Sequence, residues 1–169
     1  MKRTLRFIIS FILLTGFSGL LFAQQRVAGE SNGIKVSFTV QRDTVEVTME
    51  AAVTGWIAIG INPSNMMKDA DYKIAYVKDG VVYIRDDYGN GLVSHAEDTR
   101  LGGTSDILSY SGKEEKGYTS ITFVIPRQTN DKNDRPLTPG TYKILVAASD
   151  SDNFTTKHKT RGSLVITMP

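Results

Sequence analysis

The seven residues Gly55-Trp56-Ile57-Ala58-Ile59-Gly60-Ile61 present apolar or small side chains to both faces of an extended chain. Such a run, carrying three β-branched isoleucines, predicts a central strand covered on both sides. The flanking segments read as half-buried strands instead. Ile34–Val40 and Val45–Met49 alternate apolar and polar across the turn-like pair Arg42-Asp43. Tyr72–Val77 and Val81–Ile84 enclose Lys78-Asp79-Gly80, and Asp-Gly between two such runs is a strong hairpin signal. Thr119–Ile125, Thr141–Ala147 and Leu164–Ile166 add three more, and Ile107–Tyr110 is expected to pair toward Tyr118 across Lys113-Glu114-Glu115. No segment sustains a helical period. Eight or nine short strands with frequent turns predict an all-β sandwich, with a small closed barrel as the alternative. Trp56, Ile57, Ile59, Val77, Val82, Phe123, Ile125, Ile144 and Val146 are expected in or beside one core.

Residues 1–23 stand apart from this pattern. Lys2, Arg3 and Arg6 precede the apolar run Phe7–Leu14, and Leu20-Leu21-Phe22-Ala23 precedes Gln24-Gln25. This reads as a secretory signal peptide cleaved after Ala23, with no stable membrane anchor afterwards. It implies a secreted or periplasmic protein. Residues 24–32 are then a short N-terminal segment, and 33–169 one domain, since no linker, repeat or low-complexity tract interrupts them. The whole chain of 169 residues carries a formal charge of +2, and losing residues 1–23 turns this into −1. No basic footprint for nucleic acid remains.

Composition removes several chemistries. The absence of cysteine excludes a disulfide scaffold, thiolate zinc sites and c-type haem attachment. No G-x-S-x-G, P-loop or H-E-x-x-H occurs. Ser94, His95 and Asp98 supply the residue types of a triad, but a triad is a spatial arrangement, and three polar neighbours read as a loop. Asp131–Asp134 and Asp150–Asn153 lack the glycine and distal glutamate of a calcium loop and read as turns. No catalytic residue is assigned. Met66-Met67 follow the central strand in a polar loop, and His158 lies in another before the last strand. A thioether and an imidazole are one way to hold haem iron without cysteine.

The order of these features resembles a known family. Gly55-Trp56-Ile57-Ala58-Ile59-Gly60 is followed by Met67-Lys68-Asp69-Ala70-Asp71, a strand, Asp79-Gly80, another strand, and Asp86-Asp87-Tyr88. This is similar to the DOMON domain, whose usual run is G-W-x-x-x-G, M-x-x-A-D, strand–D-G–strand and D-x-Y. The resemblance continues through Asp98, Gly102-Gly103, Asp106, Gly117, Phe123, Arg127, Asp131, Asp134, the Tyr142–Ala148 strand, His158 and Gly162.

The resemblance implies an immunoglobulin-like β-sandwich of eight to eleven strands, outside the cytoplasm, that binds a ligand. Some members hold b-type haem between a methionine and a histidine. By position Met67 and His158 match those iron ligands, with Met66 as the fallback methionine and Phe154 as a lining residue. His95 has no counterpart in the pattern. Haem b with a redox partner protein is therefore expected. The alternative is a haem-free sugar or small-molecule module stacking its ligand on Trp56, Tyr72, Tyr83 or Tyr88. If the strands ending at Ile61 and Ala148 run the same way, Met67 and His158 meet at one end of the sandwich. Lys157 or Lys159 would then face haem propionates.

Overall fold

The computed structural model describes residues 24–169. The proposed signal peptide lies outside these described residues. Eleven strands form: β1 (Gln25–Ser31), β2 (Ile34–Val40), β3 (Thr44–Ala51), β4 (Ile57–Ile61), β5 (Asp71–Lys78), β6 (Val81–Tyr88), β7 (Ala96–Glu97), β8 (Ser109–Glu115), β9 (Tyr118–Pro126), β10 (Gly140–Ala148) and β11 (Thr160–Met168). One turn of 3-10 helix, Asp98–Leu101, follows β7, and no α-helix occurs among the described residues. A five-stranded sheet runs β1-β2-β3-β9-β8, and a six-stranded sheet runs β11-β10-β4-β5-β6-β7. Every neighbouring pair is antiparallel. The all-β sandwich read from the sequence is the fold observed.

Side-chain alternation builds the core. Val36 and Phe38 from β2, Val45, Val47 and Met49 from β3, and Ile121 and Phe123 from β9 meet Ile57, Ile59 and Ile61 from β4 and Ile144 and Val146 from β10. All are buried, and apolar burial of this kind is the main driving force for a sandwich. The Asp-Gly signal is met as well. Lys78 pairs with Val81, leaving Asp79 (φ 52°) and Gly80 (φ 75°) as a two-residue turn in the left-handed conformation such hairpins require.

Three local readings need correction. Residues 25–31 are a strand that pairs along its whole length with β2. The turn before Tyr118 is Lys116-Gly117, and residues 113–115 belong to β8, because Glu115 already pairs with Tyr118. Trp56 is buried but does not share the inter-sheet core of Ile57 and Ile59; it packs with Ala58 and Ile74 in a separate cluster on the outer face of the six-stranded sheet. The period of two forces this, since Ile57, Ile59 and Ile61 take the inner face.

A buried ionic network closes one end of the inner layer. Lys73, on the same face of its sheet as Ile59, donates to Asp71 and, at 2.6 Å, to Asp86. Asp86 also accepts from the Asp106 amide at 3.0 Å, and Asp71 from the Arg135 amide at 3.2 Å. Asp131 caps the Thr104 and Asn133 amides, and Asn133 donates to buried Asp98. The aspartates through which the family resemblance runs thus hold loops around one lysine. Lys73 supplies the positive charge there, and its neighbours keep it protonated despite the burial that opposes this.

Candidate functional site

The outer face of the six-stranded sheet carries a cavity of about 800 Å³, within the roughly 300–1,000 Å³ usual for small-molecule sites. Its floor is made by the side chains that alternation turns away from the core: Trp56 and Ala58 of the β4 segment, Tyr72 and Ile74 of β5, and Leu145 and Ala147 of β10. Walls rise from two loop systems. Leu92, Val93 and His95 join Met66 and Met67 in one; Phe154 and His158 lie in the other.

All four residues singled out from the sequence, Met66, Met67, Phe154 and His158, line this one cavity. The route by which they meet differs from the expectation. β4 and β10 are antiparallel, Ile61 lying opposite Ile144 and Ala148 opposite Ile57. The Met67 loop therefore leaves one end of the sheet and the His158 loop the other. They do not share an end. Both loops border the outer face, and the cavity lies between them over the five residues of β4, a span of roughly 16 Å.

Each wall is fixed by backbone bonds. The Met67 amide donates to the Leu92 carbonyl at 3.1 Å, and the Gly89 amide to the Ala70 carbonyl at 2.8 Å. A side chain at Gly89 would collide with the Met67 carbonyl, so the residue's lack of one lets the two segments touch. Opposite, the Trp56 amide donates to the Ser151 carbonyl at 3.1 Å and the Ser149 amide to the Trp56 carbonyl at 2.9 Å. These bonds hold the start of the His158 loop against β4. Lys159 is engaged by Asp150 at 2.5 Å, whereas Lys157 lines the cavity.

The electrostatics are one-sided. Lys143, Lys157 and Arg161 line the opening, and no carboxylate among the described residues does. Burial, followed by the Arg161 charge, holds the His158 imidazole below its ordinary pKa, favouring the neutral form that ligates metals. Trp56 Nε1 is buried with no hydrogen-bond partner among the described residues.

His95, which reads from the sequence as an ordinary loop residue, is held by a buried carboxylate. Its Nδ1 lies 2.5 Å from Asp87 Oδ2, and its ring is 5.2 Å from that of Tyr72. Arg85 holds the same carboxylate with Nε at 2.5 Å and a terminal nitrogen at 2.6 Å. Burial pushes the Asp87 carboxyl up, but the bonds from His95 and Arg85 outweigh it and leave it below the usual carboxylate range. An ionised carboxylate only accepts, so His95 carries its proton on Nδ1. The triad residue types stay apart: Ser94 bonds Asn90, His95 bonds Asp87, and Asp98 bonds Asn133. Of the aromatic stacking candidates, Trp56 and Tyr72 line the cavity; Tyr83 stacks on Tyr76, and Tyr88 bonds Asp69.

The donor set suits a haem: two thioethers, two imidazoles, an apolar floor and cationic groups at the opening for propionates. Comparison with known proteins agrees on the fold. The chain is similar to the cytochrome b domain of pyranose dehydrogenase from Coprinopsis cinerea, with 12% identity, a TM-score of 0.58, and 84% of this chain and 80% of that one covered. It is equally similar to the cytochrome domain of Myriococcum thermophilum cellobiose dehydrogenase, with 12% identity, a TM-score of 0.59, and 85% and 82% covered. The DOMON domain family matches residues 30–149. That match spans well over half of the sequence, and the protein belongs to the DOMON domain family.

Proposed function

We propose that this chain is an extracytoplasmic haem b domain that transfers electrons to or from a partner protein, with Met67 and His158 as the residues that would hold the iron. The observation that carries this is the position of a thioether and a neutral-leaning imidazole on facing loops of one apolar cavity. Two solved structures similar in fold are cytochrome domains, which supports the same reading. Bound haem would supply one-electron chemistry, at a potential raised by methionine ligation. The chain's own residues then do three things. Met67 and His158 hold the iron. Trp56, Ile74, Leu145 and Phe154 would keep water from the bound group. Lys143, Lys157 and Arg161 neutralise carboxylates at the opening. The protein on this reading is not itself an enzyme.

The test is titration of the purified protein with haemin, followed in the Soret region. One equivalent per chain, with a low-spin spectrum that changes in Met67→Ala and in His158→Ala, is expected. Absence of a complex would remove the proposal. A second reading draws on a specific observation, the partnerless Trp56 Nε1 in a cavity that Tyr72 also lines. A sugar ring stacked on these aromatics with a hydroxyl accepting from that N–H would satisfy it. Loss of haem binding together with uptake of an oligosaccharide would favour this second reading.

A further inference from the structure

His95 stands on the same wall as Met67. The strand pairing places Ala96 opposite Tyr88, at the end of the sheet where Asp71 pairs with Ile61. The Met67–Leu92 backbone bond joins the two loops three residues before His95. Both side chains line the cavity. The cavity therefore offers one imidazole, His158, from one wall and two different donors from the other.

The His95 ring is prepared for coordination. Nδ1–H is committed to the Asp87 carboxylate, whose side chain is fully buried, while the ring itself keeps 23% of its surface exposed. Nε2 is the ring nitrogen that this bond leaves free to face a ligand. A carboxylate behind a histidine in this way fixes the tautomer and orientation and raises the basicity of the other nitrogen. Arg85 in turn fixes the carboxylate from β6. A histidine serving only as a loop anchor needs the Asp87 bond but has no need to line an apolar cavity.

We infer that His95 is an alternative to Met67 as the donor from that wall, one that would offer Nε2 to a bound haem iron alongside His158. This rests on the haem reading above. Asp87 and Arg85 are positioning residues for it. Thioether and imidazole differ in softness, so the exchange would replace a ligand that favours ferrous iron with one that favours ferric.

The experiment uses the haemin complexes of wild type, Met67→Ala, Met67→Gln and the Met67→Ala/His95→Ala double variant. Optical, near-infrared and electron paramagnetic resonance spectra are recorded in the ferric state. Met67→Ala and Met67→Gln are expected to remain six-coordinate and low-spin with a bis-imidazole signature and a lower midpoint potential. The double variant is expected to become high-spin. A high-spin Met67→Ala complex would overturn the inference, as would a low-spin one unaffected by removing His95. Retention of a sulfur-to-iron near-infrared band in Met67→Ala would point to Met66 as the substitute and would equally overturn it. These outcomes leave haem binding by the wild type intact. Failure of the wild type to take up haemin would remove both readings at once. Met67→Gln guards against a folding defect in the alanine variant.

Discussion

The Arg85 guanidinium lies 5.0 Å from the centre of the Phe154 ring, while the same group grips Asp87 with two hydrogen bonds. Asp87 also holds His95. One arginine on the sheet therefore supports Phe154 on one wall and, through Asp87, His95 on the other. Tyr76 completes the support, its ring 4.8 Å from Phe154. Arg85→Ala removes a cation–π contact and a charge-assisted pair. It should cost about 1–3 kcal/mol of stability and weaken ligand binding beyond what that loss explains. Denaturant unfolding and a ligand titration on the same variant check this; unchanged affinity would separate Arg85 from the cavity.

Lys73 is almost completely buried between Asp71 and Asp86. Lys73→Met keeps the volume and removes the charge, leaving two buried carboxylates without their cation. The expected loss is about 3–5 kcal/mol, read as a fall in the urea midpoint. Ligand binding on the opposite face of the sheet should persist wherever the variant is folded. A loss below about 1 kcal/mol would contradict the role given to this network.

Stability should rise on mild acidification. Burial pushes the Asp134 carboxyl up to about 7 and the Asp86 carboxyl up to about 6. In the unfolded chain both titrate near ~4. Between those values the folded state holds more protons than the unfolded one, so stability falls as pH rises through that window. Asp87 and Asp69 are held low and act oppositely, losing their contribution only as the pH falls below about 4. The thermal midpoint should therefore be higher near about pH 5.5 than near about pH 8. Asp134→Asn should flatten that slope and raise the midpoint at the alkaline end. A midpoint that climbs steadily with pH would contradict this.

Trp56 and Ile59 sit three residues apart on opposite faces of one strand segment. Ile59→Ala opens the inter-sheet core and should cost about 2–5 kcal/mol with no direct effect on the cavity. Trp56→Ala should cost about 3 kcal/mol, at the low end for tryptophan because space already lies beside it, and should also impair ligand binding. Equal effects of the two variants on affinity, corrected for stability, would contradict the assignment of faces.

How far the sequence foretold these features depends on the range of the forces involved. Local alternation made β2, β3, β9 and β10 readable, and Asp79-Gly80 made the β5–β6 turn readable, because both signals act between near neighbours. The side of the sheet taken by Trp56 was also available. Small Ala58 and Gly60 share its parity, whereas the isoleucines share the other, and small residues beneath a large one mark a hollow. Met66, Met67 and His158 stood out by ligand chemistry, and family order chose Met67; geometry could not, since the antiparallel pairing of β4 and β10 depends on contacts more than eighty residues apart. His95 was unreadable because its meaning comes from Asp87 across the β6–β7 pairing. β1 carries weak alternation and is recognisable only beside β2.

On the proposed function, Met67 and His158 would hold one iron from facing loops. Iron-edge X-ray absorption of the haem-loaded, reduced protein tests it most directly. One sulfur at ligand distance is expected, lost in Met67→Ala and retained in Met66→Ala, together with a lost imidazole contribution in His158→Ala. A first coordination sphere without sulfur, or one indifferent to both Met67→Ala and His158→Ala, would contradict it.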